Sequence, residues 1–177
     1  YYLMVNKKVM IKPAMSDLEI IEFEKVGKLE AFNTDGLRSL IETMKHIPNM
    51  KEKTLRYPGH IALMKEYFSK GMFSKDNIKR TSKELFKAWK LRDEEEEFTF
   101  LKIIIESDTD IIKYSLYDEY DTVNKNSSMA RTTGYTASAV VDILDKNIFT
   151  KKGVSPPELV GSNMKVINYL LNHLKTK

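Results

Sequence analysis

The chain of 177 residues contains no cysteine. Disulfides, thiolate nucleophiles and cysteine-bound zinc are therefore excluded, and a reducing cytoplasm is compatible with the composition. Histidine is scarce as well. His46, His60 and His173 fall in neither an HxxxH nor an HExxH spacing, which argues against a zinc site. No apolar run approaches the roughly 20 residues that span a bilayer, and no signal-peptide pattern opens the chain. A G-x-S-x-G elbow, a G-x-G-x-x-G turn and a G-x-x-x-x-G-K-[ST] loop are all missing, so the chain carries no recognisable nucleotide cradle. A Ser-His-Asp triad assembled from distant residues stays open. The opening "YYLMVNKK" has no initiator Met and suggests an excised piece of a longer chain.

What is present is an ordinary globular balance, with 42% hydrophobic and 31% charged residues, enough for a real core. The formal charge is +4, which invites a nucleic-acid reading. The lysines, however, are interleaved with glutamates and form no dense basic stripe, so no nucleic-acid partner is expected.

Periodicity supplies the elements. Residues 1–12 read as a hairpin about Asn6-Lys7-Lys8, since Asn tolerates the positive φ of a tight turn. Residues 18–24 and 28–32 read as strands around Val26-Gly27. Leu37, Leu40, Ile41 and Met44 then form one helical stripe, with Asn33, Thr34 and Asp35 placed to cap it. Lys53 to Tyr57 read as a short strand. Pro58 fits the first turn of a helix that carries Ile61, Met64 and Phe68 inward and ends near Gly71. Thr81 and Glu84 make a capping-box pattern for a helix through Trp89. The acidic run Glu94–Glu97 reads as a solvated loop. Residues 98–106 and 111–119 are expected to pair as an antiparallel hairpin across "SDTD", with one face covered and the other wetter. A helix is expected from about Ala130 with Ala137, Val140, Val141 and Leu144 on its apolar face. After "GVSPPE" a last helix carries Ile167, Leu170, Leu171 and Leu174. His46 and His173 are expected at ordinary surface places. The order lacks β-α-β-α alternation and predicts an α+β domain over residues 1–177, a mainly antiparallel or mixed sheet covered by helices.

Three strand-to-helix loops stand out. The first, Asn33-Thr34-Asp35-Gly36-Leu37, sets polar side chains and a glycine at a helix start, where it either caps the helix or meets an anion. The second, Leu55-Arg56-Tyr57-Pro58-Gly59-His60, holds an arginine fork suited to a carboxylate, with a tyrosine hydroxyl beside it. A structural ion pair is the alternative. The third, Ser127-Ser128-Met129-Ala130-Arg131-Thr132-Thr133-Gly134-Tyr135, offers small hydroxyl residues, Gly and Arg for a ligand or for close packing at an interface.

Taken together, "LEAFNTDGLRSL", "EKTLRYPGH", "SSMARTTGYTASAV" and "FTKKGVSPPELVG" resemble the C-terminal, substrate-binding domain of saccharopine dehydrogenase-like oxidoreductases, a group that includes saccharopine reductases and lysine 6-dehydrogenases. The resemblance runs in order from about Ser16 to about Gly161. It implies a second domain with a glyceraldehyde-3-phosphate dehydrogenase-like C-terminal fold that often makes a dimer contact. It implies too that a Rossmann domain of the same protein, outside these residues, binds NAD or NADP. The implied substrates are amino acids or amines derived from them, oxidised reversibly at a C–N bond by hydride transfer. Arg56 is implied to grip a substrate carboxylate with Tyr57 beside it, and Thr34, Asp35, Gly36 and Leu37 to line the cleft. Arg131 is a further substrate contact or a structural ion pair. No general acid or base is assigned, Tyr57, His60 and Tyr135 being candidates by chemistry alone. The alternative is a noncatalytic ligand-binding or oligomerisation module of the same fold. The last helix is expected to stand partly exposed.

Overall fold

The computed structural model describes residues 1–92 and 95–176. They form two compact units, Tyr1–Lys90 and Leu91–Lys177, the first with two small sheets and the second with one, each with its own helices.

In the first unit, strands β1 (Tyr2–Val5) and β2 (Lys8–Ile11) pair antiparallel. Asn6 and Lys7 between them sit at φ 49° and 63°, the doubly positive geometry that matches the twist of a hairpin. Strands β3 (Glu19–Phe23), β4 (Gly27–Asn33) and β5 (Lys53–Arg56) form an antiparallel sheet in that order. As the central strand, β4 buries Leu29 to Asn33 without alternation, because both of its faces are covered. Leu3, Met4, Leu29, Ala31, Phe32, Leu37, Ile61 and Met64 make this unit's core.

Three helices follow: α1 (Leu40–Thr43), α2 (His60–Ser69) and α3 (Ile78–Ala88). The expected helix over the Leu37 stripe is only the single turn α1, and Asn33, Thr34 and Asp35 do not cap it. Asn33 ends β4 instead, and its amide donates to Asp17 at 2.7 Å. Pro58 likewise precedes the helix it was expected to open; Gly59, at φ 99°, is the N-cap of α2. Thr81 lies inside α3, where it is fully buried and its hydroxyl donates to the Met72 carbonyl at 2.7 Å. That tertiary bond, not a capping box, explains a threonine at this place.

In the second unit, β6 (Phe98–Glu106) and β7 (Ile111–Glu119) pair antiparallel across the expected turn. Helices α4 (Ser128–Asp145), α5 (Pro157–Val160) and α6 (Met164–Lys175) follow. Of the acidic run, Glu94 lies outside the described residues. Glu97 does more than face water: its carbonyl accepts from Tyr120 N–H at 2.9 Å, and its carboxylate accepts from Ser128 N–H at the start of α4.

The side of α4 that faces inward differs from the expected one. Ser128, Ala139 and Ile143 are buried, whereas Val140, Val141 and Leu144 are exposed. The inward row passes through Arg131, Thr132 and Tyr135, so polar residues interrupt the hydrophobic period that marks a core face. On α6 the buried residue is Val166, and Leu171 is half exposed. The hairpin differs as well. Ile112, Tyr114 and Leu116 are as open as the opposite face, because a sheet of two strands has little to cover it.

Candidate functional site

In the first unit, strand pairing organises the residues around the first two loops. Side chains alternate along a strand, and register partners share a face. Glu30 pairs with Arg56 and Phe32 with Thr54, so these four project from one side of β4 and β5. The row continues past the sheet end to Thr34 and Glu52, where the Thr34 hydroxyl donates to the Glu52 carboxylate and lies 2.7 Å from the Thr54 hydroxyl. Gly36 completes this corner: a Cβ there would overlap the Glu52 side chain. Leu37 is buried beneath the loop, while Asp35 is exposed.

The carboxylate opposite Arg56 does not neutralise it. Glu30 is 7% exposed; its two oxygens accept from the Gly59 and Ile61 N–H groups, each at 2.9 Å. Glu30 therefore satisfies the free N-terminal groups of α2 and complements the helix dipole. Burial alone would push its pKa up. The Ile61 and Gly59 hydrogen bonds together with His60 outweigh burial, and the carboxyl stays below its ordinary value.

Arg56 is exposed and donates to the carbonyl of its own neighbour, Leu55, at 2.8 Å. Among the described residues no carboxylate pairs with it. Tyr57 is 63% exposed. His60, first residue of α2, stacks on Phe32 with ring centroids 6.2 Å apart and lies 5.7 Å from the Trp89 ring. Burial and then the Arg56 charge hold the imidazole below its ordinary pKa, against the pull of Glu30. The region is thus one face carrying an unneutralised guanidinium, an imidazole held below its ordinary pKa and, further along, a carboxylate held by a threonine; the exposed Tyr57 phenol follows Arg56 in the chain. Chemically it can bind an anionic group at Arg56 and a cationic one toward Glu52. Glu52 and Glu30 were missed in the sequence. Both lie within the segments quoted for the resemblance, but only the β4–β5 register shows that they share the face of Arg56.

The third loop belongs to the second unit. Arg131 binds the Asp118 carboxylate at 2.5 Å and approaches Asp121 at 3.8 Å, which ties the first turns of α4 to β7. Beside it Ser128, fully buried, donates to Thr99 and to the Asp118 carbonyl. Arg131, Gly134, Tyr135 and Ser138 line a shallow recess of about 370 Å³. Its guanidinium is already neutralised, so the recess offers an anion little. The structure brings Arg56, Tyr57, Thr34, Gly36 and Leu37 into one unit and places Arg131 and Tyr135 in the other.

A triad-like arrangement does occur in this unit. Ser138 Oγ lies 3.3 Å from His173 Nε2, and His173 Nδ1 lies 3.6 Å from Asp142. The Ser138 hydroxyl donates to the Tyr135 carbonyl at 3.0 Å, and the backbone N–H groups around it are spent on the helix ladder. Nothing there offers an oxyanion two donors. With Tyr169 donating to Asp142 at 3.3 Å, the group is a polar seam joining α4 to α6. His173, with 13% side-chain exposure, is therefore not the surface residue expected.

Among the described residues no three His, Cys, Asp or Glu side chains gather to hold a metal, and no helix is long and apolar enough to cross a membrane. The start of α2 is engaged by Glu30 and that of α4 by Ser127 and Glu97, so neither is free for a pyrophosphate.

The chain is thus α+β, built of small antiparallel sheets and helices. The family model of the saccharopine dehydrogenase C-terminal domain matches residues 2–177, spanning both units. The chain belongs to that family.

Proposed function

We propose that the chain is the substrate-binding portion of an NAD(P)-dependent oxidoreductase of the saccharopine or lysine dehydrogenase type, cytoplasmic and homodimeric, acting on a C–N bond of an amino acid. The family supports the C-terminal domain of an oxidoreductase. The observation that carries the substrate class is Arg56, a guanidinium whose register partner Glu30 is committed to α2. A bidentate fork of this kind suits a substrate carboxylate. Tyr57 adds a hydroxyl beside it. Thr34, Asp35, Gly36 and Leu37 line the far end, where Glu52 receives an amine. Arg131 serves chiefly to hold α4.

Nicotinamide would accept or return the hydride, and a separate Rossmann domain would hold it, since the residues here offer no cradle for it. This chain's contribution is to bind and orient the amino acid and to exclude water around it.

The test uses Trp89, the single tryptophan of the chain, which borders His60. L-lysine and L-saccharopine are titrated against the chain, alone and joined to its dinucleotide-binding domain, while indole emission is followed. A saturable change that Arg56→Ala abolishes is expected. The same change in Arg56→Ala would contradict the assignment. Binding by the chain alone, with no turnover once the dinucleotide-binding domain is joined, would favour the noncatalytic module.

A further inference from the structure

Beyond the Thr99 end that α4 meets, the β6–β7 hairpin presents a row of apolar side chains that the described residues of its unit leave largely open. Leu101, Ile103 and Ile105 on β6 stand opposite Leu116, Tyr114 and Ile112 on β7, and all six are between 39% and 60% exposed. They leave several hundred Å² of apolar surface in water, on the scale of the about 800 Å² that each partner gives to a standard interface. A hairpin of two strands is also marginal by itself.

The open edge of β6 says what would cover it. Ser107 N–H donates to the Asp110 carbonyl, and Tyr120 N–H donates to the Glu97 carbonyl. Odd-numbered residues of β6 therefore turn their backbone groups toward β7. By alternation, Lys102, Ile104 and Glu106 turn theirs outward, to a side where the sheet has no further strand among the described residues.

We infer that this edge pairs with β6 of a second copy, antiparallel and with Ile104 on the two-fold axis. An isologous contact must be self-complementary, and the outward backbone groups pair even-numbered residues with even-numbered ones whether the axis falls on an even or an odd residue. Centring on Ile103 or Ile105 would set Lys102 or Glu106 against the other copy's Ile104. Centring on Lys102 or Glu106 would set like charges face to face. Centring on Ile104 sets Lys102 against Glu106 of the other copy, twice. The same register places Ile103 beside the other copy's Ile105, so the apolar faces merge across a four-stranded sheet. Lys102 then acts as a guard against other registers. This deepens the homodimer of the proposed function by naming its surface, and it does not depend on the substrate.

The test exploits the absence of native cysteine. In a hydrogen-bonded antiparallel pair the Cα atoms lie about 5.5 Å apart, within disulfide range. Under mild oxidation Ile104→Cys should give a covalent dimer in high yield. Lys113→Cys, the register partner on the same face, lies too far from the axis and should not. By sedimentation, Glu106→Lys should weaken the dimer about tenfold or more, and Lys102→Glu added to it should restore most of the loss. A monomer across the concentration series would overturn both the surface and the homodimer, and would leave the edge to a different partner. A dimer that forms while Ile104→Cys gives no cross-link, or that is indifferent to Glu106→Lys, would overturn the surface and leave the homodimer standing.

Discussion

His60 and Glu30 make the acid response of the first unit a residue-scale matter. The His60 pKa lies below 6.5 when folded, so the unfolded chain takes up that proton first. Its contribution is present above the unfolded value and is lost as pH falls from about 6.5 toward the folded value. Replacing it with Gln should flatten that part of a stability-versus-pH curve, and an unchanged slope would count against the burial argument. Glu30 acts further down the scale. Its folded pKa is depressed below 4.5, so its contribution is complete above the unfolded carboxylate value and disappears as pH falls through the folded one. Glu30→Gln should cost about 1–3 kcal/mol at neutral pH by denaturant unfolding, because one charged acceptor of two buried N–H groups is replaced by a weaker one. Wild-type stability in Glu30→Gln would mean that α2 does not need its cap.

At the scale of elements, the corner between β4 and β5 is held by Thr34, Glu52 and Thr54, with Gly36 leaving room for Glu52. Gly36→Ala should displace that carboxylate and destabilise by about 1–3 kcal/mol, the usual cost of overpacking; a neutral melting profile would show that the corner yields. The elements also show what the sequence could reveal. The hairpin turn at Asn6, the strands around Gly27 and the paired runs 98–106 and 111–119 were legible because local chemistry and period agree there. The burial of α4 was not. Its core face runs through Ser128, Arg131, Thr132 and Tyr135, whose tertiary hydrogen bonds and ion pairs a hydrophobicity count scores as surface. Thr81 misled for the same reason: a hydroxyl that suits a cap is equally suited to a distant carbonyl. In the candidate site, Arg56 was legible in the sequence as a guanidinium fork suited to a carboxylate, in a loop that carries the family resemblance. Glu30 and Glu52 were not, since register alone places them.

For the molecule as a whole, the first two loops fall in one unit and the third in the other. Arg56 and the Thr34 loop belong to the first unit, and Arg131 is bound to its own carboxylates in the second. On the proposed function, Arg56 is the centre of substrate recognition and the dinucleotide falls to a domain outside these residues. Catalysis would then require both parts, with this one supplying position and charge. The most direct measurement is steady-state kinetics of the chain joined to its dinucleotide-binding domain, followed by NAD(P)H absorbance with L-lysine or L-saccharopine. Arg56→Ala should lose about 2–5 kcal/mol of substrate binding, roughly 30-fold or more in KM, with cofactor affinity nearly unchanged. An unaltered KM for the amino acid would contradict the role given to Arg56.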